Sequence, residues 1–226
     1  MINGKKVIAV TLARGGSKTI PKKNMADING TPLIGYTINE VIKSSLIDEY
    51  YVSTDDESTI NYCISRDIKY LKRPAELCTD KAKSSDALIH AVRFMNCHYV
   101  VEIMATNPLK AVEDIDACII KLDTKGVQSV VSVARVFDHH PSRVKYIEKG
   151  RLKNFYPEIP ESRRQDLTPE AYIRNGSIYA MEKIFLLHTQ ARYDKNTVAY
   201  VMPPERTINI DEPEDLMLAR LRLARS

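Results

Sequence analysis

Short strand-like runs alternate with longer stretches of helical spacing, and that alternation limits what this chain can fold into more than any other feature. Runs at 7–12, 49–53, 68–71, 99–104 and 129–133 are rich in Val, Ile, Leu and Tyr. Between them, apolar residues recur at three- and four-residue intervals over 32–43, 56–66, 84–95 and 113–122, which predicts helices. Pro32 suits a first-turn position, Asp55 or Asp56 can cap the second helix, and Ser84 the third. Strands that alternate with helices build a mostly parallel sheet with helices on both faces, a Rossmann-like α/β fold, and its ligand crevice lies at the C-terminal ends of the strands.

From about residue 138 the pattern breaks. Mixed charges, turn residues and Pro157, Pro160 and Pro169 run to about 175. Strand-like runs then return at 177–181 and 197–201, followed by an amphipathic stretch over 212–223. The expected organisation is a core of 1–137 and 176–226 with 138–175 inserted as a small arm. Such an arm suits contact with a second subunit.

Composition narrows the function classes. Hydrophobic residues make up 44% of the chain, enough for a core. No run approaches the roughly 20 apolar residues that a membrane-spanning helix needs, and the first residues lead straight into a strand with no secretory leader pattern. Cys63, Cys78, Cys97 and Cys118 are far apart and lack paired metal-ligand spacing, which suits reduced thiols in a cytoplasmic protein; a bacterial or archaeal source is a separate expectation. The net charge of +4 comes from scattered residues with no basic stripe interleaved with aromatics, so no nucleic-acid surface is expected.

One local exception follows the first strand. Leu12-Ala13-Arg14-Gly15-Gly16-Ser17-Lys18-Thr19-Ile20-Pro21-Lys22-Lys23-Asn24 puts four cations and paired glycines at the crevice edge. Paired glycines let backbone N–H groups approach a ligand, and converging cations neutralise phosphate. The segment is neither Gly-x-x-x-x-Gly-Lys-Ser/Thr nor Gly-x-Gly-x-x-Gly, which removes kinase and dehydrogenase readings.

The stretch Ala13-Arg14-Gly15-Gly16-Ser17-Lys18-x-Ile20-Pro21-x-Lys23-Asn24 resembles the signature of acylneuraminate cytidylyltransferases, the CMP-sialic acid synthetases. Collinear matches follow: Asn29-Gly30-Thr31-Pro32-Leu33-Ile34, Val52-Ser53-Thr54-Asp55, Arg73-Pro74-Ala75-Glu76-Leu77, Asp80 with Ser84, His139-His140-Pro141, Arg164-Gln165, and Asn175-Gly176-Ser177-Ile178-Tyr179. The resemblance implies a nucleotidyltransferase-type fold and transfer of CMP from CTP to the anomeric hydroxyl of an acidic nine-carbon sugar, with Mg²⁺ and release of pyrophosphate. It implies CTP contacts from Leu12, Ala13, Arg14, Gly15, Ser17, Lys18, Lys23, Asn24, Arg73, Thr79 and Ser84. It implies sugar contacts from Met104, Thr106, Asn107, Arg143, Arg164, Gln165, Asn175 and Tyr179, with the arm exchanged between the protomers of a homodimer. Arg14, Lys23 and Asp211 would carry the reaction, and Asp211 with Asn209 would hold the metal.

Two departures lie at the acceptor end. Asn209 stands where the family carries the first Asp of Asp-x-Asp, and Met104 where it commonly carries Gln. Met104 supplies no amide, which points to a modified nine-carbon acid. His139 and His140 are adjacent and have no third ligand nearby, so they are not read as a metal site. Asp114-x-Asp116 falls within a predicted helix, where residues two apart diverge, and is read as a surface feature. The competing readings are a related nucleotidyltransferase for an eight-carbon acid sugar and a weakened nucleotide-binding homologue.

Overall fold

A computed structural model of the chain describes residues 1–156 and 163–224. Its first half is a run of βα units: β1 (Val7–Leu12), a minimal hairpin β2 (Asp27–Ile28) and β3 (Thr31–Pro32), α1 (Leu33–Val41), β4 (Glu49–Thr54), α2 (Glu57–Ser65), β5 (Lys69–Lys72), α3 (Ser84–Val92), β6 (Tyr99–Ile103) and α4 (Val112–Leu122). β7 (Ser129–Val136) follows, then a hairpin of β8 (Lys145–Glu148) and β9 (Arg151–Asn154). The chain returns through β10 (Ala171–Glu182), α5 (Lys183–Thr189), β11 (Val198–Val201) and α6 (Pro213–Leu223).

The sheet has seven strands in the order β11-β7-β10-β6-β1-β4-β5. All its neighbours pair in parallel except β10, which runs antiparallel to both β6 and β7. The expected mostly parallel sheet with helices on both faces is what the chain forms.

Alternation along β1 shows why it must be sandwiched. Val7 and Ala9 pack with Ile115, Cys118, Ile119 and Leu122 of α4, whereas Ile8 and Val10 pack with Leu88, Ala91 and Val92 of α3 and Phe185 and Leu186 of α5. A strand buried on both faces has no polar side to alternate with, hence the run Val-Ile-Ala-Val.

Several local expectations shift. Pro32 caps α1 from an extended conformation and Leu33 is the first helical residue; Lys83, not Ser84, is the cap of α3. Asp56 does cap α2, accepting from Thr59 N at 2.9 Å. β10 begins six residues before the expected 177 and crosses Asn175-Gly176 without ending. Gly176, at φ 60°, sits in a register shift against β7 between Arg174 and Tyr179, so Asn-Gly makes a bulge rather than a turn.

β8 and β9 form their own two-stranded sheet, with Ile147 opposite Leu152 and both side chains more than 70% exposed. At the base of this segment the buried His140 ring contacts Ser142 Oγ through Nδ1 and Pro169 O through Nε2.

Candidate active site

A cleft of about 400 Å³ opens where β1 and β6 end, within the size range of small-ligand sites. The turn after β1 forms one wall. Ala13 N still bonds Ser53 O of β4, so the loop leaves the sheet only at Arg14. Gly15 N is held by Asp55 Oδ1 at 2.8 Å, and a methyl group at Gly15 would stand 2.9 Å from Asp56 Cβ, so a side chain there collides with the head of α2. Asn24 Nδ2 donates to Arg14 O and closes the turn from its far end.

The cations of this turn converge in two groups. Arg14 Nη2 and Lys18 Nζ lie 2.8 and 2.7 Å from the two oxygens of Asp80, and Arg14 Nη1 also donates to Cys78 O. Lys18 and then Arg14 hold the Asp80 carboxyl below the usual carboxylate range. Lys23 Nζ donates to Ile210 O and pairs with Asp211 Oδ1 at 2.9 Å. Arg73, 6% exposed, supports the opposite wall through Nη2 to Ser53 O at 2.7 Å and Nε to Ser53 Oγ, and burial lowers its pKa.

The cleft therefore brings together Leu12, Arg14, Ser17, Lys18, Lys23, Asn24, Arg73, Thr79, Ser84, Met104, Thr106 and Asp211 from the sequence reading. Others stand behind it. Ala13 is core, and Gly15 is committed to Asp55. Asn107 is fully buried; it donates to Ser177 Oγ and Arg206 O, accepts from Leu109 N, and so shapes the loop from within. Asn175 accepts from Ser132 Oγ and donates to Met202 Sδ and Thr207 Oγ1. Tyr179 packs in the core beside α5, with the Arg192 guanidinium 4.2 Å from its ring centroid. Arg143 lies in a short 3-10 turn, Pro141–Arg143, and Gln165 in another, Arg164–Asp166; neither lines this chain's cleft. The Arg164 side chain lies outside the described residues.

Asn209 Nδ2 donates to Asp211 Oδ2, and a methyl group at Gly176 would stand 3.3 Å from Asn209 Oδ1. Among the described residues no group of three or more His, Cys, Asp or Glu is placed to hold a metal. Asp211 is exposed and Asn209 turns its NH₂ towards it, so the carboxylate is the one metal-ligating oxygen group that this pair presents to the cleft.

Three buried groups were not anticipated. Asp114, expected at the surface, is fully buried: it takes both nitrogens of the Arg206 fork at 2.8 Å, Tyr200 Oη at 2.9 Å and Ala111 N at 3.0 Å. Asp116 accepts from Ser44 Oγ at 2.5 Å. The i,i+2 divergence on a helix separated this pair as expected, but it turned Asp114 inward rather than to solvent. Lys110 is buried and donates to Thr37 Oγ1, Met104 O and Asn107 O, pinning the loop after β6. Glu102 lies within an otherwise apolar strand, which was its signal in the sequence; it lines the cleft and pairs with Arg192 at 2.9 Å.

A cationic turn at the C-terminal edge of a doubly wound sheet, with an exposed carboxylate across the cleft, fits a nucleotidyltransferase-type α/β protein. The family model described as Cytidylyltransferase matches residues 8–216, and the chain belongs to that family. Its curated relatives include N-acylneuraminate cytidylyltransferase of Streptococcus agalactiae serotype III, 32% identical over 215 residues that cover 94% of this chain and 52% of the relative. N-acylneuraminate cytidylyltransferase A of Danio rerio is 32% identical over 225 residues, covering 97% and 51%. The chain spans about half the length of these relatives. In fold it is similar to a CMP:2-keto-3-deoxy-manno-octonic acid synthetase complexed with CTP, with a TM-score of 0.74 and 19% identity over 97% of this chain and 99% of that one. It is also similar to 4-diphosphocytidyl-2C-methyl-D-erythritol synthase from Anaerococcus prevotii, with a TM-score of 0.71 and 17% identity over 99% of this chain and 98% of that one.

Proposed function

We propose that this chain transfers CMP from CTP to the anomeric hydroxyl of a nonulosonic, sialic-type acid and releases pyrophosphate. The observation that carries the reading is the convergence of Arg14, Lys18 and Lys23 on one cleft from a glycine turn that directly follows β1. Three linked phosphoryl groups need several converging charges and backbone donors, and this turn supplies both.

Nucleotide binding exchanges Asp80 for phosphate oxygens on Arg14 and Lys18, a swap favoured because a triphosphate carries more charge than one carboxylate. Ser17, Asn24 and the turn's backbone orient the chain of phosphates. Arg73, Thr79 and Ser84 hold the nucleoside along the wall that runs from β5 to α3. Charge on the departing pyrophosphate grows as the bond to the α-phosphorus breaks, and Arg14, Lys18 and Lys23 meet it there. Asp211, 61% exposed and paired with Lys23, would accept the proton of the attacking hydroxyl. Mg²⁺, held by Asp211 with Asn209 beside it, would add charge neutralisation on the phosphates.

The arm completes the proposal. Ile147 and Leu152 pair across the otherwise charged hairpin, and with Phe155 and Tyr156 just beyond it they form an exposed apolar group, which suits burial against a second copy of the chain. A homodimer formed this way brings Arg143, Arg164 and Gln165 to the neighbour's cleft, where Arg can meet the acid's carboxylate. No helix among the described residues is long and apolar enough to cross a membrane, and the scattered free thiols fit a cytoplasmic enzyme.

Pyrophosphate release from each nucleoside triphosphate, with Mg²⁺ and a panel of nine- and eight-carbon acid sugars, tests the reading. Release with CTP and a nine-carbon acid alone supports it. Preference for an eight-carbon acid moves the acceptor, and tight CTP binding without turnover makes the chain a binding homologue.

A further inference from the structure

Glu102 is 0% exposed, one residue before the C-terminal end of β6, between Tyr179 of β10 and Val10 of β1. Its Oε2 accepts from Arg192 Nη1 at 2.9 Å, while Oε1 has no hydrogen-bond partner among the described residues. Four residues further on, Thr106 Oγ1 is likewise buried without a partner. Both residues line the cleft, on either side of Met104. Burial pushes the Glu102 carboxyl upward and Arg192 opposes that rise.

Arg192 is itself fixed. Its guanidinium lies 4.2 Å from the Tyr179 ring centroid, Tyr193 stands 6.3 Å from Tyr179, and Arg174 caps the Tyr193 ring at 4.3 Å. A buried ion pair is seldom a net gain in stability over apolar residues of the same volume, because desolvation opposes it. An unsatisfied buried oxygen adds a further cost. A structure that carries both in a binding cleft carries them for a ligand.

The sheet order says which ligand. The proposed nucleotide groups come from the ends of β1 and β5 and the loop to α3, on one side of the cleft. Glu102, Thr106, Tyr179 and Arg192 belong to β6, the loop after it, β10 and the segment after α5, on the side of β1 away from β4 and β5. We propose that Glu102 Oε1 and Thr106 Oγ1 form a donor-reading edge for the acceptor sugar, with Glu102 accepting from one of its hydroxyl or amide N–H groups and Thr106 bonding an adjacent polar atom. This rests on the reading of the chain as a sugar-acid cytidylyltransferase. A carboxylate at this edge also repels the acceptor's own carboxylate, so it fixes which end of the sugar enters first. Arg192 is a positioning residue that holds Glu102 Oε2 and leaves Oε1 facing the cleft.

Glu102→Gln and Thr106→Val keep shape while removing the acceptor or the hydroxyl. In Glu102→Gln the amide oxygen stays on Arg192, which turns the NH₂ towards the ligand's donor. The assay is pyrophosphate release with CTP and a panel of nine-carbon acids, N-acetylneuraminic acid and modified relatives of it, together with single-deoxy and de-N-acylated forms of the acid turned over best, alongside calorimetric titration of CTP. The expected result is an acceptor KM at least tenfold higher in either variant, with KM and Kd for CTP within twofold of the parent. One deoxy or deacylated acid should no longer distinguish parent from Glu102→Gln, which identifies the group read. An unchanged acceptor KM, or CTP affinity falling in step with it, overturns the inference while leaving the cytidylyltransferase reading intact. A parent chain that neither binds nor turns over any acid of the panel overturns both. Should Glu102→Gln fail to fold, Thr106→Val carries the same comparison.

Discussion

Asp80 meets two cations of the glycine turn at once, so it competes directly with a triphosphate. Exposed ion pairs contribute only about 0.2–1 kcal/mol each, so Asp80→Asn should tighten CTP binding by a few-fold at low ionic strength, with the gain shrinking as salt rises. Calorimetric titration at two salt concentrations checks this, and weaker binding would mean that Asp80 organises the turn rather than occupying it. Lys110 offers a pH test. Burial pushes its ammonium from 10.5 down to about 7, so the folded chain releases this proton well before the unfolded chain does. Between those values the unfolded state binds more protons, and the group's unfavourable contribution, full below about pH 7, fades as pH rises towards 10.5. The stability advantage of the parent over Lys110→Met should therefore grow by about 1.4 kcal/mol per pH unit from pH 7.5 to 9, measured by urea unfolding. A constant difference would contradict the buried-cation account. Single residues were the hardest scale to read in the sequence. Arg14, Lys18 and Lys23 announced themselves because charge clustered on a glycine turn has few other uses. Lys110 and Asp114 look like surface residues until the fold places them inside.

The segment that carries Asp211 has little regular structure of its own and is moored by its neighbours. Thr106 O accepts from Ile210 N, Lys23 Nζ reaches Ile210 O, and Arg222 Nη1 reaches Thr207 O. The strongest mooring is the Asp114–Arg206 fork, which ties α4 to the turn before this segment. Asp114→Ala would remove the Arg206 fork and the Tyr200 and Ala111 hydrogen bonds, while the one-third exposed Arg206 can rehydrate, and should cost about 1.5–3 kcal/mol of unfolding free energy. Turnover should fall more than CTP affinity, because Asp211 loses its position while the glycine turn keeps its own anchor at Asp55. A stable Asp114→Ala variant with unchanged kcat would contradict this. Strand and helix positions were legible where the pattern was strong, as in the unbroken apolar run of β1 and the three- and four-residue spacing of α4. β10 was shortened in the sequence reading because Asn175-Gly176 has the composition of a turn, and only pairing with β7 on one side and β6 on the other shows that the chain continues through a bulge. Likewise an acid within the apolar run of β6 was visible as a letter, but its meaning depends on Arg192, ninety residues away.

For the whole molecule, the sheet with helices on both faces followed from the alternating pattern, and the position of the cleft followed from the sheet. What the sequence did not convey is what covers Ile147 and Leu152, which are more than 70% exposed among the described residues. Ile147→Asp with Leu152→Asp should convert a dimer to monomers in sedimentation measurements, lowering activity while leaving CTP affinity unchanged. A monomeric parent, or full activity in the double variant, would remove the shared-site proposal. The most direct test of the central claim is a crystal structure of the chain with CTP and Mg²⁺. The account predicts the triphosphate within hydrogen-bond distance of Arg14, Lys18 and Lys23, with Asp80 displaced from the first two. A triphosphate bound elsewhere, with Asp80 still paired to Arg14 and Lys18, would contradict it.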